Sequence, residues 1–196
     1  MGYLSGEFMR TMSVLIILGL VVAAVVVWAV GLYNQLVKKK NHVEDGWSGI
    51  DVQLKRRYDL IPNLVKVVQQ YAQHEEQTLK KVIQLRNQAK QADNPSQQIQ
   101  QEQKLSQALS GLMVQVEAYP DLKANTNFLD LQQQLQQIET DIQYARRYYN
   151  GAVREYNTLV QSFPSNIIAQ KYDFREAEYF EIEDPVHAEN PDIAFD

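Results

Sequence analysis

Few residues of this 196-residue chain have types and spacing that suggest chemistry, and none completes a catalytic or metal-binding pattern. The histidines His42, His74 and His187 lie far apart in the sequence. His74-Glu75 begins like the zinc motif H-E-x-x-H, but Thr78 stands where the second histidine is required. The chain has no cysteine, which excludes thiol catalysis and zinc-thiolate sites. We therefore predict no metal and no cofactor.

Paired carboxylates and glycines give no better case for an enzyme. Glu75-Glu76 and Glu139 with Asp141 lie on mostly polar helix faces, and the Glu-x-x-His of di-iron bundles is absent from the sequence. The letters GWSG at residues 46–49 do not form the nucleophile elbow G-x-S-x-G. We predict that the protein is not an enzyme, and a hydrolase that uses paired carboxylates is the least favoured alternative.

A set of charged, amide and tyrosine side chains at helical spacing supplies the candidates for interaction or for helix register: Arg56, Arg57, Asp59, Asn63, Arg146, Arg147, Tyr149, Asn150, Tyr156 and Asn157. Tyr149 and Tyr156 are seven residues apart and share one seam of a helix, with Asn150 and Asn157 beside it. One interpretation is a polar recognition stripe. The other, which we favour, is a set of interhelical ion pairs and tyrosine hydrogen bonds that fixes register.

The elements that must position these residues are helices, because apolar residues recur in steps of three and four from residue 43 onward. We predict a first helix ending near Pro62, with Asp59 capping the next one. That second helix covers residues 64–89, and Ser96 caps a third that Pro120 ends. No segment between residues 38 and 170 alternates like a strand.

The fourth stretch, residues 128–163, has the most regular pattern. Its apolar residues follow a strict three-four alternation for five heptads, which predicts one helix of about 35 residues ending before Pro164. Together these stretches predict an all-α fold, in which residues 38–170 form an up-and-down bundle of long antiparallel helices.

An apolar segment precedes the bundle. Residues 11–37 carry no charge, and about 20 apolar residues span a bilayer as a helix. We predict a short tail at residues 1–12 and a transmembrane anchor at residues 13–37. A cleaved signal peptide is the alternative, but its apolar core is usually shorter. Lys38, Lys39 and Lys40 favour a cytoplasmic bundle with the N-terminus outside, and a periplasm-facing bundle is the alternative.

The acidic charge is concentrated at the C-terminus. Residues 172–196 contain nine acidic side chains and one basic side chain, whereas the bundle is close to neutral and has no basic face for nucleic acid. We predict that residues 171–196 form a flexible acidic tail that orders on a partner. Docking on the bundle itself is the alternative.

Four motifs resemble the LemA family. They are QLKRRYDLIPNLV at residues 53–65, AYPDLKAN at 118–125, ARRYYN at 145–150 and the segment 156–166. The resemblance implies a bacterial inner-membrane protein with an N-terminal anchor, a bundle of long helices and no known catalytic residues. It also implies links to membrane stress and membrane proteases, and one branch resembles a magnetosome membrane protein. The first dozen residues and the acidic tail lie outside the resemblance.

These features predict a membrane-anchored helical scaffold or adaptor without catalytic activity. The alternative is an accessory subunit that modulates a membrane enzyme such as a protease. Expected partners are membrane lipids through the anchor, further copies of the chain and an unknown protein, but not nucleic acid.

Overall fold

The computed structural model describes residues 2–92 and 94–180, and all regular secondary structure in these ranges is helical. The prediction of an all-α protein with a long apolar N-terminal helix and a bundle is confirmed. The α-helices are α1 (Gly2–Tyr71), α2 (Glu76–Lys90), α3 (Pro95–Val116), α4 (Pro120–Lys123), α5 (Thr126–Gln161) and α6 (Ser165–Lys171). One 3-10 turn, Gln73–Glu75, lies between α1 and α2.

The N-terminal part of α1 has the character of a membrane span. By length and composition, α1 is the one helix in the described residues that is apolar enough to cross a bilayer. None of its apolar window is buried, and Val14 and Val27 are 63% and 72% exposed. A helix that exposes this much apolar surface needs an apolar environment around it.

The chain divides into two compact units, and α1 and α5 each contribute to both. The first unit contains Met1–Glu44 and Gly151–Ala177, and the second contains Asp45–Asn150 and Glu178–Asp196. The segment boundaries predicted after residues 12, 37 and 170 remain predictions.

The first unit is built where α1, α5 and α6 meet. Leu36, Val153 and Ala169 are fully buried there. The Ser165 hydroxyl donates a hydrogen bond to the main-chain oxygen of Leu159 at 2.6 Å, which fixes the start of α6 against the end of α5. An exposed ion pair between Lys39 and Glu155, with 2.5 Å between nitrogen and oxygen, links α1 to α5.

In the second unit, α1 and α5 approach closely at Gly46. A Cβ atom at this position would lie 3.1 Å from the Cα of Tyr149, so a side chain here would push the two helices apart. Glycine therefore permits a contact between backbones that places Trp47 beside α5.

Pro62 does not end a helix, so this prediction is wrong. Pro62 lies inside α1, which continues to Tyr71. Proline has no N–H, so the carbonyl of Tyr58, four residues earlier, loses its partner within the helix. Arg86 of α2 supplies the missing donor through its Nε atom, at 3.0 Å from that carbonyl oxygen. Asp59 consequently lies exposed inside α1 and caps no helix.

Two helix starts also differ in detail from the expectation. The second predicted helix is divided at Ala72, and Asn94 rather than Ser96 caps α3 by accepting a hydrogen bond from the Gln97 N–H at 2.9 Å. Asn125 accepts from the Phe128 N–H at 3.0 Å at the start of α5. The long fourth helix is present as α5, with 36 residues.

Candidate functional site

A buried group of charged side chains lies at the centre of the second unit. Arg57 is 3% exposed and Glu102 is 2% exposed, and the two form an ion pair. The Tyr58 hydroxyl donates a hydrogen bond to the Glu102 carboxylate. Arg57 also donates to Glu139 at 2.9 Å and to Ser106 at 3.2 Å. We call these five residues the ion-pair cluster.

The carboxylates of the ion-pair cluster hold helices together and are not free to act as a catalytic base. Both carboxylates face Arg57, and a buried charge is tolerated only when it is paired and hydrogen-bonded. A groove of about 420 Å³ beside the cluster is lined by its members Arg57, Ser106 and Glu139. Its other lining residues belong to α3 and α5 and include Leu109, Met113 and Leu135. In the described part of the chain, no group of three or more metal-ligating side chains is placed to hold a metal ion.

A second site in the same unit encloses an aromatic side chain from the C-terminal segment. Phe180 is 2% exposed. Its ring centroid lies 6.0 Å from that of Trp47, and the guanidinium carbon of Arg146 lies 4.7 Å from the ring centroid. This geometry suits a cation–π contact with a partly desolvated arginine. Burial lowers the pKa of Arg146, while Glu139 opposes this effect.

The main chain at Phe180 is held as firmly as its ring. The Asn150 amide accepts from the Phe180 N–H at 2.8 Å and donates to the Phe180 carbonyl at 3.1 Å. Tyr149 donates its hydroxyl to the Glu178 carbonyl at 2.8 Å, and its own ring packs edge-on to Trp47 with centroids 5.5 Å apart. We call Trp47, Arg146, Tyr149 and Asn150 the Phe180 site.

The hydrogen bond from Tyr149 to the C-terminal segment requires a protonated hydroxyl. Burial raises the pKa of the Tyr149 hydroxyl, and the nearby carboxylate of Glu178 raises it further. The hydroxyl therefore remains a donor to the Glu178 carbonyl throughout the physiological pH range.

The first unit contains a similar amide contact. Asn157 is 6% exposed, and its amide accepts from the Ala177 N–H and donates to the Ala177 carbonyl, both at 2.9 Å. Neighbouring Tyr156 is 2% exposed. An asparagine amide that both accepts from and donates to one residue satisfies an extended main chain as a neighbouring β-strand would.

The expectation of a mobile acidic tail is therefore wrong for residues 172–180, which pack on the helices. The alternative, docking on the bundle, describes this segment. Its main-chain hydrogen bonds and the burial of Phe180 offset the charge of its acidic side chains. The rest of the predicted tail, residues 181–196, lies outside the described residues.

The remaining sequence-predicted residues are not brought into either site. Arg56, Asp59, Asn63 and Arg147 are exposed. The Arg56 guanidinium lies 3.8 Å from Asp141, and that of Arg147 lies 4.6 Å from the ring centroid of Tyr144.

Several residues of the two sites are not among the ten candidates from the sequence: Trp47, Tyr58, Glu102, Ser106, Glu139 and Phe180. Glu102 carries a usable signal, because it falls three residues after Ile99 and three before Leu105, on the apolar face of α3. Arg57 lies three residues after Leu54 and four before Ile61, so it also occupies a core position of its helix. Two opposite charges at core positions indicate an internal ion pair. Nothing local to Phe180 distinguishes it from the other aromatics of the acidic segment.

Comparison with known proteins gives one family and several relatives. The model of the LemA family matches residues 46–195. Protein LemA of Metamycoplasma hominis is 27% identical over 153 residues, which cover 78% of this chain and 70% of that protein. Magnetosome proteins MamQ 1 and MamQ 2 of Paramagnetospirillum magneticum are each 34% identical over 74 residues, which cover 38% of this chain but only 27% of those proteins.

The extent of the family match corrects one expectation. The four motifs leave the acidic tail outside the resemblance, but the matched region continues to residue 195 and so includes the segment that carries Phe180. The C-terminal segment is thus part of the family domain.

Proposed function

The chain belongs to the LemA family, and we propose that it is a membrane-anchored helical scaffold that holds extended protein segments and carries out no catalysis of its own. The apolar part of α1 supplies the anchor, and the Phe180 site supplies the contact with an extended segment. The lysines at 38–40 favour a cytoplasmic position for the helices that follow the anchor.

The observation that carries this proposal is the way α5 contacts the C-terminal segment. Asn150 and Tyr149 bind main-chain atoms of Phe180 and Glu178, while Trp47 and Arg146 enclose the Phe180 ring. Main-chain contacts give affinity for any extended segment, and a pocket for one side chain gives selectivity. The site therefore suits an extended segment with an aromatic residue at one position.

The residues around the site add a preference for acidic segments. Arg146 places a positive charge over the ring, and the Ser96 hydroxyl donates to the carboxylate of Glu178. In the folded chain the site is occupied by the protein's own C-terminal segment. A partner segment would bind by replacing it. The apparent affinity for a partner is therefore reduced by the free energy that holds the internal segment in the site.

A peptide competition in the full-length protein tests the proposal. The substitution Phe180→Ala empties the aromatic pocket without changing the helices that build it. A fluorescent peptide with the sequence of residues 176–182 should bind the Phe180→Ala protein in detergent or nanodiscs more tightly than it binds the unaltered chain. Adding Asn150→Ala should abolish the gain, because the amide that holds the peptide main chain is then missing.

The two variants separate the possible outcomes. Both the single and the double variant loosen the internal segment. Only the single variant keeps all four residues of the Phe180 site. Equal peptide binding by the two variants, or none by either, would contradict the scaffold proposal. Turnover of peptidase, phosphatase or esterase substrates that is lost in Glu139→Gln would contradict the absence of catalysis.

A further inference from the structure

The corner between α5 and α6 is uncharged over an unusual length. Residues 156–170 contain no acidic or basic side chain, although charged residues flank this stretch at Glu155 and Lys171. It includes the end of α5, the connection at residues 162–164 and nearly all of α6. We call residues 162–167 the α5–α6 corner.

The α5–α6 corner presents apolar side chains outward. Phe163 is 80% exposed and Ile167 is 56% exposed, while Ser165 between them is buried and bonded to the Leu159 carbonyl. Exposed apolar residues that occur singly need no explanation, but here they coincide with the longest uncharged stretch after the anchor.

Contacts within the first unit place this region beside the end of the apolar span. The ring of Tyr33 lies near the C-terminal end of the predicted anchor, with its centroid 4.9 Å from the ring of Tyr172 and 5.6 Å from that of Phe174. Tyr172 directly follows α6 and is itself 54% exposed. The residues after the corner are therefore tied to the level at which α1 leaves its apolar stretch.

The same region carries the aromatic and basic residues that are typical of a membrane interface. Lys171 lies over the Tyr172 ring, with 5.8 Å from its nitrogen to the ring centroid, and Lys38, Lys39 and Lys40 follow Tyr33 in α1. Tyrosine rings favour the headgroup level, and lysines extend from it towards water.

We propose that the α5–α6 corner is a second membrane contact, in which Phe163 and Ile167 insert into the interface of the bilayer that holds α1. The contact is continuous with the anchor through Tyr33 and Tyr172. It fixes the first unit to the membrane surface at two places, so that α1 cannot swing freely there. The inference rests on the anchor of the proposed function but not on the Phe180 site.

A depth measurement in vesicles tests this contact. Because the chain has no cysteine, single cysteines can be introduced into the full-length protein and labelled with an environment-sensitive fluorophore without background. The test positions are Phe163→Cys and Ile167→Cys. Val27→Cys marks the anchor, and Gln133→Cys marks an exposed position of α5 about 40 Å of helix before its end.

The result expected is strong quenching at Phe163 and Ile167 by lipids that carry the quencher near the headgroup, with weaker quenching by lipids that carry it deep in the acyl chains. Val27 should show the opposite order, and Gln133 should be quenched by neither. Quenching at Val27 combined with none at Phe163 and Ile167 would overturn the second contact, as when another protein or a second copy covers the corner. Absence of quenching at Val27 would instead refute the anchor.

Discussion

The ion-pair cluster and the Phe180 site lie in the same unit and both bury polar groups, but they satisfy them differently. In the ion-pair cluster, Arg57 and Glu102 are bound by other side chains of the helices. In the Phe180 site, Asn150 and Tyr149 bind main-chain atoms of a separate segment. The first arrangement holds helices to helices, and the second holds helices to a strand-like chain.

The two sites therefore separate polar groups that the fold requires from polar groups that suit binding. Removing one partner of the ion-pair cluster leaves a buried charge that the remaining partners neutralise only in part. Removing the segment from the Phe180 site leaves amide and hydroxyl groups that water can satisfy. Only the second can be vacated without leaving an unpaired buried charge, so it is the one suited to exchange.

The largest effect is expected from Glu102→Ala, which breaks the ion-pair cluster. Arg57 would keep its charge in a buried position with only Glu139 as a partner, and breaking a buried pair in this way costs about 3–5 kcal/mol. Denaturant unfolding followed by circular dichroism would measure the loss. The control is Glu76→Ala, which removes an exposed pair with Lys80 and should leave the midpoint nearly unchanged. Equal effects of the two substitutions would show that the cluster does not hold the helices.

A smaller global effect, but a large local one, is expected from Phe180→Ala. Losing a buried phenylalanine costs about 3 kcal/mol, which corresponds to roughly a hundredfold shift of the segment towards the undocked state. Cleavage after Lys171 or Arg175 by trypsin should accelerate accordingly, while the helical content persists. Its neighbour Tyr179 is 39% exposed, so Tyr179→Ala should change the cleavage rate little. A cooperative loss of helix in Phe180→Ala would place the segment among the elements that the bundle requires.

The smallest effect concerns pH and isolates the Tyr149 hydroxyl. Its pKa is raised in the folded protein by burial, so its contribution is fully present below the ordinary value of about 10 and is lost as the pH rises through the raised value. Tryptic cleavage of the segment should therefore accelerate above about pH 10 in the unaltered chain. Tyr149→Phe should show faster cleavage at neutral pH and a weaker rise in alkali. An identical alkaline rise in both proteins would assign it to other groups.

The sequence predicts the helices of this protein better than it predicts the site. The three-four spacing of residues 128–163 is local information, and α5 follows from it. Pro62 predicts a helix end because its effect on the chain is local, whereas the compensating hydrogen bond from Arg86 comes from another helix. Acidic charge around Phe180 indicates a solvated tail, and only the fold brings Trp47, Arg146 and Asn150 together to bind it.

Hydrogen exchange at the Phe180 amide of the full-length protein shows whether the C-terminal segment occupies an exchangeable site. Its N–H is bound to Asn150, so it should be protected, but it should exchange well before the buried amide of Ile142 in α5. Addition of the peptide with the sequence of residues 176–182 should accelerate its exchange and leave that of Ile142 unchanged. Exchange as slow as that of Ile142, unaffected by the peptide, would contradict the claim because the segment would then open only with the whole unit.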